Sequence, residues 1–235
     1  MKRSDQLIVA LDQMSIEEIN AFLSMKDNNI PMVKIGLEVF LKYGKDIITL
    51  ISKKYNKKIF LDLKLHDIPI TVAKAIAALE GLPIDFLTVH LSGGQEMLRA
   101  AIKEAKNSLP NCTLLGVSFL TSLTPLDLES LFESKNSNEA FIRLFDMAKI
   151  SGIKGVVCSP HEVALLKYHY PSLFAVTPGI RFSDEIEALQ THDQKRVMNP
   201  EDAFKAGSDY LVIGRSLTKA TNFSARMKMF DKEVN

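Results

Sequence analysis

Lys58-Ile59-Phe60-Leu61-Asp62-Leu63-Lys64-Leu65-His66-Asp67-Ile68-Pro69 begins as an apolar strand and ends in charge. With the two-residue side-chain period of a strand, Phe60, Asp62 and Lys64 share one face, and Ile59, Leu61, Leu63 and Leu65 share the other. The aliphatic face suits packing under helices. The opposite face carries a carboxylate and an ammonium inward, where an isolated charge costs several kcal/mol unless paired. Asp67 comes after the strand has ended, on a loop that can reach elsewhere. A lone strand-end Asp/Lys pair is more often a structural ion pair than a reactive one. Its meaning therefore depends on the rest of the chain.

The same unit, a short β-rich run followed by a helical stretch, recurs outward in both directions. Strands are expected at Leu7–Leu11, Met32–Ile35, Lys58–Leu63, Phe86–Val89, Thr113–Ser118, Gly155–Cys158, Leu173–Val176 and Tyr210–Ile213. Helices are expected at Ser15–Leu23, Gly44–Lys54, Thr71–Leu79, Glu96–Ser108, Glu139–Ile150, Pro160–Tyr168 and Pro200–Ala206. Ser15 with Glu18 forms a capping-box pattern, and Asn199-Pro200 is an N-cap followed by Pro at the first helical position. Such alternation implies parallel strands with helical crossovers. Eight units in 235 residues match a (β/α)8 TIM barrel, typically about 250 residues long. A doubly wound open sheet is the alternative, but its Gly-x-Gly-x-x-Gly turn after the first strand is missing. Neither linker nor repeat divides the chain, so a single (β/α)8 domain over residues 1–235 is expected.

Composition narrows the function classes. Hydrophobic residues at 46% and charged residues at 24% are ordinary for a folded soluble domain and exclude disorder. A net charge of +1 without a basic cluster argues against a nucleic-acid partner. The N-terminal Met1-Lys2-Arg3-Ser4-Asp5 lacks an apolar signal core, and no apolar run approaches the roughly 18 residues of a membrane span. A cytoplasmic location, away from membranes, is expected. Cys112 and Cys158 lie at or in strand-like runs without a partner motif and read as buried free thiols.

In a barrel of this kind, chemistry sits at the C-terminal ends of the strands. Asp12 ends strand one, Lys34 lies near the end of strand two, and Asp62 and Lys64 end strand three. His90 ends strand four, Ser118 and Thr121 follow strand five, Arg181 follows strand seven, and Gly214-Arg215-Ser216 follow strand eight. So many polar groups at one end are hard to explain by packing. The loops after strands seven and eight often hold phosphate in this fold. Gly214 permits close backbone approach, Arg215 offers a bidentate fork, and Arg181 can approach from the other loop. Interleaving carboxylates with Lys34 and Lys64 lets all remain charged, whereas carboxylates alone would force one to protonate. A carboxylate disfavours a bound substrate carboxylate, and an ammonium stabilises the carbanion left behind and protonates it. The pattern therefore points to decarboxylation. Schiff-base aldol or isomerase chemistry is disfavoured, because Lys64 between carboxylates stays protonated.

The run Ile59 to Val72 resembles the signature of the orotidine 5′-phosphate decarboxylase family, Asp-x-Lys-x-x-Asp-Ile-[Gly/Pro]-x-Thr, and meets each fixed position. Further similarity lies in Val9-Ala10-Leu11-Asp12, Lys34-Ile35-Gly36, Leu120-Thr121-Ser122, Thr177-Pro178-Gly179-Ile180-Arg181, Asp193-Gln194-Lys195-Arg196 and Ile213-Gly214-Arg215-Ser216, most like the shorter bacterial type. The resemblance implies decarboxylation of orotidine 5′-monophosphate to uridine 5′-monophosphate in pyrimidine biosynthesis, without metal or organic cofactor. It implies that Lys64 protonates C6 of the pyrimidine and that Asp62 sits against the departing carboxylate. Asp67 would complete the array from the neighbouring subunit of a homodimer, with Ile68 and Thr71 beside it. Lys34 and Asp12 would hold the ribose and order the charges, and Thr121 would contact the pyrimidine. Gln194, Arg215 and the Gly214 backbone would grip the phosphate, with Arg181 close by. His66 and His90 lie near the site, while His161, His169 and His192 read as surface residues. The stretch 182–193 is longer than in close bacterial relatives, has partly helical character at Glu185–Ala188, and is expected to close over substrate.

Two rivals remain. One is a barrel similar to 3-keto-gulonate phosphate decarboxylase, which shares Asp-x-Lys-x-x-Asp but needs magnesium. Such enzymes carry an acidic metal ligand where this chain has Lys34, whose ammonium repels a divalent cation. The other is a catalytically silent barrel that senses a phosphorylated metabolite, for which an inward Asp/Lys alternation has no use.

Overall fold

Strands buried on both faces require near-continuous apolar runs, and the eight runs read above all become strands. The computed structural model describes residues 2–132, 136–188 and 197–234. Its strands are β1 (Leu7–Ala10), β2 (Met32–Gly36), β3 (Lys58–Leu65), β4 (Phe86–His90), β5 (Thr113–Val117), β6 (Gly155–Val157), β7 (Phe174–Thr177) and β8 (Tyr210–Ile213). Each pairs in parallel with the next, and β8 closes on β1 with Leu211 opposite Leu7 and Ile213 opposite Val9. Closure leaves no unpaired sheet edge. The architecture is a (β/α)8 barrel.

The helices are α1 (Ile16–Leu23), α2 (Leu37–Tyr43), α3 (Asp46–Tyr55), α4 (Pro69–Ala77), α5 (Gly94–Ser108), α6 (Pro125–Phe132), α7 (Ser137–Ser151), α8 (Pro160–His169), α9 (Ser183–Glu187), α10 (Pro200–Lys205), α11 (Arg215–Thr218) and α12 (Phe223–Val234). The two caps form as read. The Ser15 hydroxyl accepts from Glu18 N while Glu18 accepts from Ser15 N, and Asn199 Oδ1 accepts from Asp202 N at 2.8 Å. The helix expected over 44–54 forms as α3, and α2, just before it, is an additional helix. Gly44 ends α2 with φ +64°, a left-handed value that glycine adopts without steric cost, and α3 starts beyond it.

Two apolar layers follow from strand alternation. Inside the barrel lie Ile8, Met32, Phe60, Phe86, Leu115, Val117, Val176 and Val212. Between strands and helices lies the larger layer, including Leu7, Val9, Val33, Ile59, Leu61, Ile76 and Phe145. Burying each such side chain contributes about 1.5–3 kcal/mol. At the start of the strands, Phe86 stands edge-on to Tyr210 at 5.4 Å and to Phe60 at 6.0 Å, and Phe174 meets Tyr210 at 6.0 Å. This aromatic plug fills the N-terminal end of the barrel, so polar groups on the inner face collect at the opposite end. Among the described residues, no helix is long and apolar enough to cross a membrane.

Candidate active site

Along β2 and β3 the alternation that points Met32 and Phe60 inward also points Lys34 and Asp62 inward, one step nearer the C-terminal end. Both are buried, at 8% and 7% exposure. Lys34 Nζ donates to Asp12 Oδ1 and Oδ2 at 2.9 and 2.7 Å and lies 3.4 Å from Asp62 Oδ2. Lys64 Nζ donates to the same Asp62 oxygen at 2.7 Å. Asp12, Lys34, Asp62 and Lys64 thus form a chain of alternating sign. Burial alone would lower the pKa of Lys34, but attraction to Asp62 and Asp12 outweighs it and raises the value. Burial would raise Asp62, but Lys34 and Lys64, with hydrogen bonds from Lys64 and Thr88, hold it below the ordinary carboxylate range. Both buried members therefore stay ionised at neutral pH.

The approach of Asp12 to Lys34 depends on Gly36 at the end of β2. A β-carbon there would lie 2.3 Å from Asp12 Oδ1 and 3.3 Å from Lys34 Nζ. Only a residue without one leaves room for this pair.

β3 departs from a regular strand where the chemistry sits. Leu61 pairs with Leu87, but the next pairing is Leu65 with Val89, so Asp62, Leu63 and Lys64 together face Thr88. Four residue steps of β3 advance no further than two of β4, about 6.6 Å at ordinary strand rise. This bulge holds Lys64 back, close to Asp62, instead of carrying it towards solvent. Lys64 takes φ +50°, a left-handed conformation that costs a non-glycine residue roughly 1–2 kcal/mol and persists only where its surroundings fix it. Its N–H, removed from the regular ladder, donates to Thr88 Oγ1 at 2.8 Å. The Thr88 hydroxyl donates in turn to Asp62 Oδ1 at 3.0 Å.

A cavity of about 290 Å³ opens at this end, near the lower limit for small-molecule sites. Asp12, Lys34, Asp62, Lys64, Thr121, Arg181, Gly214 and Arg215 all line it. Arg181 follows β7 and is almost wholly buried, with Nη1 donating to Ile180 O at 2.8 Å. Arg215 opens α11 directly after Gly214, where the start of a helix adds positive potential. The cavity thus has a charge-alternating floor and a cationic wall.

Asp67, Ile68 and Thr71 do not line this cavity. All three are exposed around the start of α4, and Asp67 Oδ1 accepts from Ile68 N at 2.6 Å. Gln194 lies outside the described residues, as does His192. Of the other histidines, His161 and His169 are exposed. His90 faces His66 with ring centroids 5.1 Å apart. Burial, then the nearby His66 and Lys64, push the His90 pKa down to about 4, so its ring is neutral at pH 7. Cys158 is buried, but Cys112 is only half-buried, and neither forms a disulfide.

Gly36 and Thr88 are structural members of the site that the sequence pattern alone does not mark. Thr88 had one available signal: it lies two residues from Phe86 and two from His90, on the inward face of its strand. Glycine at a strand end next to a Lys-x-Gly spacing carries a weaker one.

The model of the orotidine 5′-phosphate decarboxylase / HUMPS family matches residues 5–230. The chain is 39% identical over 236 residues to the orotidine 5′-phosphate decarboxylase of Geobacillus sp. strain WCH70, covering 98% of this chain and 97% of that protein. It is 42% identical over 217 residues to the namesake of Staphylococcus saprophyticus, covering 92% of each. In structure it is similar to the orotidine 5′-phosphate decarboxylase of Lactobacillus acidophilus, with a TM-score of 0.79 at 34% identity, covering 98% of this chain and 99% of that one. It is also similar to an uncharacterized conserved protein of Geobacillus kaustophilus, with a TM-score of 0.83 at 34% identity, covering 97% and 100%. A fold, a charge array and near full-length similarity thus agree, and the chain belongs to the orotidine 5′-phosphate decarboxylase / HUMPS family.

Proposed function

We propose that this chain decarboxylates orotidine 5′-monophosphate to uridine 5′-monophosphate, in pyrimidine biosynthesis, with its own side chains and no cofactor. The observation that carries the reading is the alternating Asp12–Lys34–Asp62–Lys64 chain on the floor of a cavity whose wall carries Arg181 and Arg215. Phosphate bound at Gly214, Arg215 and Arg181, with Gln194 as a further contact, anchors the nucleotide away from the reacting carbon. Asp12 and Lys34 hold the ribose, and Thr121 meets the pyrimidine. This directs the C6 carboxylate towards Asp62, where like charges oppose each other in a poorly solvated site. The C6–carboxylate bond breaks, carbon dioxide leaves, and the electron pair stays on C6. The Lys64 ammonium stabilises that pair and then gives it a proton, and the neutral amine regains one from water. Asp67, with Ile68 and Thr71, is assigned to the site of a partner subunit.

The test follows the ultraviolet absorbance of the orotate chromophore on mixing purified protein with orotidine 5′-monophosphate. Loss of the chromophore, with uridine 5′-monophosphate and carbon dioxide as products, is expected, and full activity after exhaustive chelation. The Lys34 ammonium, fixed between Asp12 and Asp62, opposes a magnesium ion there. Turnover of a sugar-acid phosphate that depends on added magnesium would instead select the other branch of the family. Tight nucleotide binding without turnover would select the sensor.

A further inference from the structure

We infer that Thr88 is a positioning residue, whose single hydroxyl fixes both the bulged Lys64 backbone and the orientation of the Asp62 carboxylate. The inference rests on the decarboxylase reading above and extends it to a residue one step behind the reacting groups.

Thr88 is fully buried on the inward face of β4, between Phe86 and His90. It is the one β4 residue opposite Asp62, Leu63 and Lys64, because pairing resumes only at Leu65 and Val89. A bulge of this size takes a backbone N–H out of the sheet, and a buried N–H needs an acceptor. Thr88 Oγ1 supplies it, accepting from Lys64 N at 2.8 Å. Having accepted there, the hydroxyl has one proton to give, and gives it to Asp62 Oδ1 at 3.0 Å. The second carboxylate oxygen, Oδ2, is left to face Lys64 Nζ at 2.7 Å and Lys34 Nζ at 3.4 Å.

The two hydrogen bonds have different consequences. The first holds Lys64 in its left-handed conformation, which decides how far its ammonium stands from the cavity floor. The second fixes the rotation of the Asp62 carboxylate, which decides which oxygen meets substrate and which meets the ammoniums. Valine has nearly the shape of threonine but can make neither bond. Without them, Lys64 and Asp62 keep their charges and lose their registration. Such a defect falls on the step in which charge moves, because that step is sensitive to displacements well below an ångström. Phosphate binding at Gly214, between β8 and α11, and at Arg215, which opens α11, is untouched.

The experiment compares Thr88→Val with Thr88→Ser in steady-state decarboxylation and in equilibrium binding of uridine 5′-monophosphate. For Thr88→Val, kcat should fall about ten- to a hundredfold, the scale set by leaving a buried donor and a carboxylate oxygen unsatisfied. KM and product affinity should stay within about threefold, since uniform binding is retained. Thr88→Ser keeps the hydroxyl and should retain at least about half of the wild-type kcat. Should valine prevent folding, Thr88→Ala replaces it, and the same contrast with serine is required. A valine or alanine variant within about twofold of wild-type kcat would overturn the inference. So would a serine variant as impaired as valine, which would make the methyl group the feature that matters. Insoluble valine and alanine variants beside an active serine variant would make the hydroxyl a folding determinant and overturn the positioning role. Wild-type protein inactive on orotidine 5′-monophosphate would refute the decarboxylase reading itself, a result distinct from each of these.

Discussion

At the scale of single residues, the site is governed by how much charge it keeps where water is scarce. In the proposed reaction Lys64 gives the proton to C6, and its ammonium would matter most once the carbanion forms. Lys64→Ala should therefore abolish turnover while nucleotide binding largely survives, since general acid catalysis alone supplies about 10²–10⁴-fold. A variant retaining more than about a tenth of wild-type kcat would show that the proton comes from elsewhere. His90 shows the opposite strategy, a buried ring kept neutral. Its folded pKa of about 4 lies below its ordinary 6.5, so on acidification the unfolded chain takes up a proton first. Stability should then fall as pH drops from 6.5 towards 4. Asp62, with its lowered pKa, stabilises above its ordinary value of 3.8 and loses that contribution only below it. Lys34, with its raised pKa, contributes below 10.5 and loses its part only above that value. His90 therefore dominates the 6.5–4 window among these three. Thermal melts at pH 7 and pH 5 should show a smaller drop for His90→Gln than for wild type; equal drops would assign the acid sensitivity to other groups.

At the scale of elements, legibility in the sequence followed how local the signal was. All eight strands could be read because a parallel barrel strand is apolar on both faces, whatever its neighbours do. Helices with a clear apolar stripe, such as α5 and α7, were visible for the same reason. α2 was not, because Leu37 and Leu41 are 52% and 74% exposed and only Val39 is buried, so its pattern has no stripe. α12 buries only Phe223 and Phe230, seven positions apart, too sparse for a period to show. The bulge in β3 was invisible because Leu61-Asp62-Leu63-Lys64-Leu65 alternates without interruption. Only pairing with β4 makes those residues share one partner. The charge array could be read from strand ends alone, but the glycine that admits it could not. Gly36 has φ −80°, which alanine also adopts, so Gly36→Ala isolates the close approach from backbone preference. Its β-carbon, 2.3 Å from Asp12 Oδ1, must displace that carboxylate from Lys34. A fall of about ten- to a hundredfold in kcat/KM is expected, the worth of a charge-assisted hydrogen bond, without loss of the fold by circular dichroism. Unchanged kinetics would mean that Asp12 can leave Lys34 without consequence.

At the scale of the whole molecule, Asp67 stands apart from the cavity that holds Lys64. The signature places Asp67 beside Lys64 in sequence, yet Asp67 does not line the cavity that holds Lys64, and it sits exposed before α4. Beside it, Ile68 and Ile70 are 61% and 58% exposed, an apolar pair at the same helix start. The family resemblance assigns Asp67 to a neighbouring subunit, and nothing in a single sequence could have distinguished a loop that folds back from one that reaches across. Side chains at the end of a barrel strand point into their own barrel, but Asp67 lies past that end, before Pro69, where the chain has turned into a helix. A two-fold dimer in which each Asp67 enters its partner's cavity would explain both the exposure and the apolar pair, which the interface would cover. The consequence is quantitative. Lys64→Ala and Asp67→Asn homodimers should each be severely impaired. A mixed dimer would carry one site with both defects and one site with native Lys64 from one chain and native Asp67 from the other. After equal mixing and exchange, about half the dimers are mixed and each has one intact site, so activity should rise to about a quarter of wild type. Native mass spectrometry can confirm the exchange independently of activity. If mixed dimers form and activity does not rise, Asp67 acts within its own chain and each barrel works alone.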